Sequence, residues 1–208
     1  MVLILLFALL FRLAFFTGID SSDSLFYTEF ADKISKNEPD LNGHLGLRIG
    51  VLYPVALLYS IFGVNEFSSN ILVLLISLAS IILIYNFGKL VFNEKVGLLS
   101  AFLLSFFPLD VVYSTILLTD LSSAFFVALS VYFFLKSEKI SKKIASEVYY
   151  FFSGLSLGIA YLMRELSLLI GLFFLIYIIY NKKIKIGYSL IGLGFILMFS
   201  MELLYFLS

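Results

Sequence analysis

Seven charged side chains stand within or near the ends of apolar runs: Arg12, Asp23, Arg48, Asp110, Asp120, Arg164 and Glu165. A central Asp, Lys or Arg costs about 2.5–3.5 kcal/mol in hydrocarbon, so each such residue needs a partner, water or a task. Carboxylates suit proton abstraction or cation binding, and the planar guanidinium suits phosphate. Together these types match chemistry on a phosphoryl-linked donor at a membrane surface. All but Arg12 fall at helix ends on what reads as one side of the membrane. Loops distant in sequence are therefore expected to gather them around one outward-facing cavity.

Each residue also has a plainer reading. Asp23 closes the run Asp20-Ser21-Ser22-Asp23 and Asp120 follows Thr119, so helix capping competes with chemistry at both. Arg12 lies about one and a half turns from the outer end of its run and is expected to snorkel there. Arg48 reads either as an interfacial anchor or as a substrate contact. Asp110 follows Pro108 in a short turn, where solvation accounts for it. Arg164 and Glu165 are neighbours in sequence and do not face each other on a helix, so each is expected to seek another partner. His44, the single histidine, is a lone imidazole in a polar loop and a candidate metal ligand.

The elements that must carry these residues follow from composition. The chain has 208 residues, 62% of them apolar and 13% charged. Soluble domains average about 45–50% apolar and 25% charged, which excludes an ordinary cytosolic enzyme. Fourteen basic and fourteen acidic residues cancel, which argues against nucleic acid as a partner. Without cysteine there is no disulfide framework, thiolate nucleophile or Cys-based metal site. No basic segment precedes the first apolar run, which is expected to be retained as a helix rather than cleaved as a leader.

A hydrocarbon core about 30 Å thick needs roughly 20 apolar residues per helix. Apolar runs at 2–17, 71–90, 96–113, 116–135, 148–163, 166–180 and 184–207 predict an all-α, polytopic transmembrane bundle of about seven spans. These runs are apolar all round, which suits helices and not the alternation of a β-barrel. Residues 148–180 would be about 50 Å long as one helix, so they are expected to hinge at Arg164-Glu165. The outer loop 18–48 contains an amphipathic stretch, with Leu25, Phe26, Phe30 and Ile34 as its apolar side. The segment 49–63 is too short to span and is weakened by Pro54 and Gly63. Both are expected to lie in the membrane interface. The whole of 1–208 is expected to form one transmembrane domain without a soluble module.

Charge orients this bundle. Lys89, Lys95, Lys136, Lys139, Lys142, Lys143, Lys182, Lys183 and Lys185 share one side with only Glu94, Glu138 and Glu147, a net +6. The other side carries eleven acids against Lys33, Lys36, Arg48 and Arg164, a net −7. The positive-inside rule then places the N-terminus in the cytoplasm and the acidic side outside, in an integral protein of the plasma membrane. The lysines are expected to anchor topology and touch lipid headgroups.

The order of short motifs resembles a family: the multi-spanning C-type glycosyltransferases that use a polyprenyl-phosphate sugar, among them protein O-mannosyltransferases and the lipid A aminoarabinose transferase. The similar elements are LFRLAFF at 10–16, DSLFYTEFA at 23–31, Arg48-Ile-Gly-Val-Leu-Tyr-Pro54, Ile61-Phe-Gly63, Thr119-Asp120, and Gly154…Gly158…Arg164-Glu165. Where many members have Glu after the loop Asp, this chain has Ser24. Members also continue with further spans, so the resemblance covers a seven-span core and raises a truncated or split enzyme completed by a second chain. A secondary transporter is the rival reading, although no internal repeat supports it.

The resemblance implies specific roles. Asp23 would be the general base that deprotonates a hydroxyl on a lipid, glycan or protein acceptor. The oxygen would attack the anomeric carbon with inversion and expel polyprenyl phosphate. Arg164 would stabilise the developing phosphate charge, with Arg48 second. Tyr27, Asp120 and Glu165 would contact substrate. Asp120, Asp110 and His44 are the candidates to hold a divalent cation bridging the phosphate.

Overall fold

A computed structural model describes residues 1–20, 22–38, 44–181 and 187–207, and those residues form helices and turns with no strand. Asp40, Lys182, Lys183 and Lys185 lie outside the described residues, as does the side chain of His44. Contacts cluster into two compact units, Met1–Ser122 and Ser123–Ser208.

The first unit contains α1 (Val2–Ala14), α2 (Ser22–Ser35), α3 (Ile49–Phe62), α4 (Glu66–Val91), α5 (Glu94–Ser105), α6 (Pro108–Tyr113) and the start of α7 (Thr119–Lys139). Helix α4 starts at an Asn65 cap: the Asn65 side chain accepts from the Ser68 N–H at 2.9 Å, and Ser68 Oγ accepts from the Asn65 N–H at 3.2 Å. Asn93 caps α5 in the same way, accepting from the Val96 N–H at 3.0 Å. The α4–α5 hairpin closes on a pair of glycines. A Cβ on Gly88 would stand 2.7 Å from the Gly97 Cα, so neither position has room for a side chain.

Helix α2 turns a different side inward from the one its apolar residues predict. Ser24, Tyr27, Phe30 and Ala31 are buried, while Leu25 and Phe26 are exposed. The buried stripe faces α3, whose own inner side is Ile49, Val51, Leu52, Val55, Ala56 and Tyr59. Small Ser24 and Ala31 allow that close approach and leave the bulky pair outward, as an interfacial helix would. Lys33–Glu29 and Lys36–Asp32 pairs line its polar side.

The second unit contains the rest of α7, α8 (Lys143–Met163), α9 (Leu169–Asn181) and α10 (Gly187–Leu207). Helices α8 and α10 touch along small residues. A Cβ on Gly154 would lie 1.9 Å from the Ile191 carbonyl oxygen, and one on Gly158 would lie 2.5 Å from Met198 Cβ. This is the small-xxx-small packing that lets backbones meet in hydrocarbon, where lipid is as apolar as Leu and burial alone does not drive association. Ser130 and Ser153 donate to each other's carbonyl oxygens at 2.8 and 2.9 Å, joining α7 to α8. At the other end of that pair, Tyr150 and Tyr188 both donate to Glu138 Oε1, which pins α7, α8 and α10.

Among the described residues, three helices are long and apolar enough to cross a bilayer: Glu66–Val91, Thr119–Lys139 and Gly187–Leu204. At 1.5 Å per residue, the first is about 39 Å long. Val2–Ala14 and Glu165–Tyr180 are apolar but shorter. The predicted span 96–113 is interrupted: α5 stops at Ser105 and α6 restarts at Pro108. Proline has no N–H and its ring clashes with the carbonyl four residues back, here that of Leu104. Pro108 is tolerated as the first residue of a new helix.

Candidate active site

The Pro108 break organises the polar centre of the first unit. Once α5 ends, the Ser105 carbonyl has no helical partner. Arg12 Nη1 donates to it at 3.3 Å and to the Ala8 carbonyl at 3.0 Å. Arg12 Nε donates to Ser77 Oγ at 2.7 Å, and Nη2 donates to Asp110 Oδ2. The Ser77 hydroxyl in turn donates to the same Asp110 oxygen at 2.6 Å. Arg12 is fully buried, and the Asp110 side chain is 11% exposed. Two sequence readings are thereby corrected. Arg12 does not snorkel to the helix end, because an anion and three neutral acceptors surround it within the bundle. Asp110 is not simply solvated, because a guanidinium and a hydroxyl both occupy Oδ2. One cation ties α1, α4, α5 and α6 together. The member that sequence reading missed is Ser77, whose signal was a hydroxyl in the middle of an otherwise apolar run.

At one end of this unit two distant segments are joined. The Gly18 N–H donates to the Thr115 carbonyl at 3.1 Å, and the Thr17 N–H donates to Thr115 Oγ1 at 3.1 Å. Gly18 adopts φ +83°, and a Cβ there would meet the Glu66 carboxylate at 3.1 Å, so conformation and space both call for glycine. Asp23 lies five residues after Gly18 and Asp120 five after Thr115. Each is the second residue of its helix, α2 or α7, and each is exposed. A carboxylate in the first turn is favoured by the helix dipole. Glu66, in the first turn of α4 against Gly18, is a carboxylate that sequence reading had not placed beside this loop.

Arg48 is half-buried at the start of α3, and its carbonyl accepts from Val51 and Leu52 at 3.0 and 3.1 Å. Tyr27 is 3% exposed within the α2–α3 contact, which makes it a core residue of this unit. Among the described residues no group of three His or acidic side chains could hold a metal ion.

In the second unit the predicted hinge is present. Helix α8 ends at Met163, Arg164 is extended (φ −161°, ψ 120°), and a 3-10 turn, Glu165–Leu168, leads into α9. The Arg164 N–H still reaches the Ala160 carbonyl at 2.9 Å, while its own carbonyl accepts from Ser167 at 3.0 Å. Ser167 and Ser123 share a 2.7 Å hydroxyl contact beside the same Ala160 carbonyl, which fixes the hinge against α7. Arg164 is half-buried and Glu165 exposed. Next to this break lies an apolar cavity of about 590 Å³ lined by Leu157, Leu169, Phe174, Ile191 and Phe195 among others, with Glu165 as the one charged lining residue among those described.

A family model described as dolichyl-phosphate-mannose-protein mannosyltransferase matches residues 49–205. The chain belongs to that family. It is therefore a membrane glycosyltransferase of the C type, and the motif order read from the sequence pointed to the right class. No curated protein and no solved structure matches the chain. The segment matched to the mannosyltransferase family begins at the first residue of α3. It contains Asp110, Asp120, Arg164 and Glu165, starts just after Arg48, and leaves Asp23 and Tyr27 upstream.

Proposed function

We propose that this mannosyltransferase-family chain transfers a sugar from a polyprenyl-phosphate donor to a hydroxyl acceptor at the outer membrane face, with inversion. The observation that carries the reading is the junction in the second unit: a helix break bearing Arg164 and Glu165, next to an apolar cavity, within the matched segment. A polyprenyl-phosphate sugar has that same division between an isoprenoid tail and a charged head. Arg164 is the residue to stabilise charge as phosphate departs, and preorganised electrostatic stabilisation of this kind is usually a large catalytic contribution.

Asp23 is the general base. Its exposure and its place in the first turn of α2 leave the carboxylate accessible to an acceptor hydroxyl. Arg48, Glu165 and Asp120 contact substrate, and Asp120, exposed in the first turn of α7, is the carboxylate we assign to a divalent cation, Asp110 being bound by Arg12. Tyr27, being buried, acts by holding α2 on α3. We propose a seven-span topology whose orientation, with the N-terminus in the cytoplasm, is supported by the lysine asymmetry.

The test is transfer from dolichyl-phosphate mannose carrying a radiolabelled sugar, in membranes containing the protein and mixed peptide or lipid acceptors. Labelled acceptor above the level of empty membranes is expected. Hydrolysis or uptake of donor with no labelled acceptor would overturn the reading.

A further inference from the structure

The α7–α8 turn, at the opposite end of α8 from the Arg164 break, is built unlike an ordinary solvated loop. Lys136, Lys139, Lys142 and Lys143 fall within eight residues, with the carboxylate of Glu138 among them and that of Glu147 four residues on. Both carboxylates are engaged: Glu138 accepts from Tyr150 and Tyr188, and Glu147 stands 4.0 Å from Lys143. The Lys136 ammonium lies over two rings, 4.6 Å from the centroid of Tyr149 and 5.4 Å from that of Tyr132. The turn is fixed, because Ser146 Oγ donates to the Ser137 carbonyl at 2.9 Å. Lys142 stands at the N-cap of α8 and supplies no side-chain cap, so the first-turn N–H groups add partial positive charge beside the lysines. Ile144 in that first turn is 78% exposed. A ring-held ammonium, three exposed lysines, aromatic rings and an exposed aliphatic side chain thus share one short helix hairpin.

We infer that this turn is a binding site for the phosphate headgroup of an anionic phospholipid. The shared chemistry is a phosphate monoanion. The exposed Ile144 and the tyrosine rings assign it to a lipid rather than to a soluble phosphate, because only a lipid brings acyl chain to the apolar side. The inference rests on the membrane reading and not on sugar transfer.

The test is native mass spectrometry of the full chain in neutral detergent, titrated with phosphatidylglycerol or phosphatidylcholine and without any sugar donor. A failure of this site therefore leaves transferase activity untouched, and the two readings fall separately. Each lysine near an anionic surface contributes about fivefold in binding, so Lys139→Gln/Lys142→Gln should lose roughly 25-fold of the preference for phosphatidylglycerol. Both residues are exposed, and an unchanged melting temperature in neutral detergent confirms that the variant is folded. Lys89→Gln/Lys95→Gln, which removes the same charge from the α4–α5 end, should keep most of the preference. Equal loss in both double variants would reduce the effect to net charge and overturn the site. An unchanged preference in the first variant would overturn it too. Displacement of the lipid by millimolar inorganic phosphate would overturn the lipid assignment in favour of a soluble anion.

Discussion

Replacing Asp110 with alanine strips the buried Arg12 guanidinium of its anion while leaving the neutral acceptors Ser77, Ala8 and Ser105 in place. Removing one partner of a buried ion pair costs about 3–5 kcal/mol, because the remaining charge stays desolvated. Arg12 is fully buried, so the upper part of that range applies. Arg12→Met keeps the aliphatic stem and removes the charge. It leaves Asp110 11% exposed and still bonded to Ser77, which should cost about 1–3 kcal/mol. The double variant Arg12→Met/Asp110→Ala has no stranded charge and should cost less than the sum of the two, with a coupling of about 2–3 kcal/mol. That coupling is roughly a 30- to 150-fold effect on the folding equilibrium. The assay is equilibrium unfolding in mixed micelles of neutral detergent and dodecyl sulfate, followed by far-ultraviolet circular dichroism. Additivity of the two single variants within about 0.5 kcal/mol would refute the view that this pair clamps α1 to α6.

Other consequences are equally concrete. Gly154→Ala should separate α8 from α10 and cost several kcal/mol by the same unfolding assay, since its Cβ meets the Ile191 carbonyl at 1.9 Å. Gly192→Ala, with nothing within 4 Å, should instead be neutral or stabilising by up to about 1 kcal/mol from helix propensity. Glu138→Ala should remove the acceptor that Tyr150 and Tyr188 share and cost about 0.5–1.5 kcal/mol for each hydrogen bond lost, read by the same unfolding assay. Arg164→Gln should lower the rate of sugar transfer about 10²- to 10³-fold, with Arg164→Lys recovering part of it; an unchanged rate would remove Arg164 from the phosphate role.

Helix class and many element ends were legible because lipid demands long apolar runs and because caps are local. The segment 49–63 was legible to within one residue, since α3 runs from Ile49 to Phe62 with Gly63 as its C-cap, and the hinge at Arg164 followed from the length that 33 helical residues would need. Three features escape a sequence reading. The 96–113 run reads as one span although Pro108 marks a turn inside it; apolar composition on both sides of that proline outweighs the signal that a helix ends before it. The side of α2 that packs was set by the small residues Ser24 and Ala31 rather than by the most apolar ones. The partnership of Arg12 with Asp110 spans 98 residues of sequence, a separation at which a single chain carries no pairing signal. As for the site, Asp23 and Asp120 are exposed and Arg164 is half-buried, whereas Tyr27 and Asp110 are held by the fold itself, a difference that tertiary packing and not local sequence decides.

The most direct test of the central claim is the initial rate of labelled sugar transfer from a polyprenyl-phosphate donor by the purified, reconstituted chain and by its Asp23→Asn variant. The carboxylate is exposed, so the variant should keep wild-type helicity and thermal stability while transfer falls by at least about 10²-fold. Equal rates in the two proteins would contradict the account.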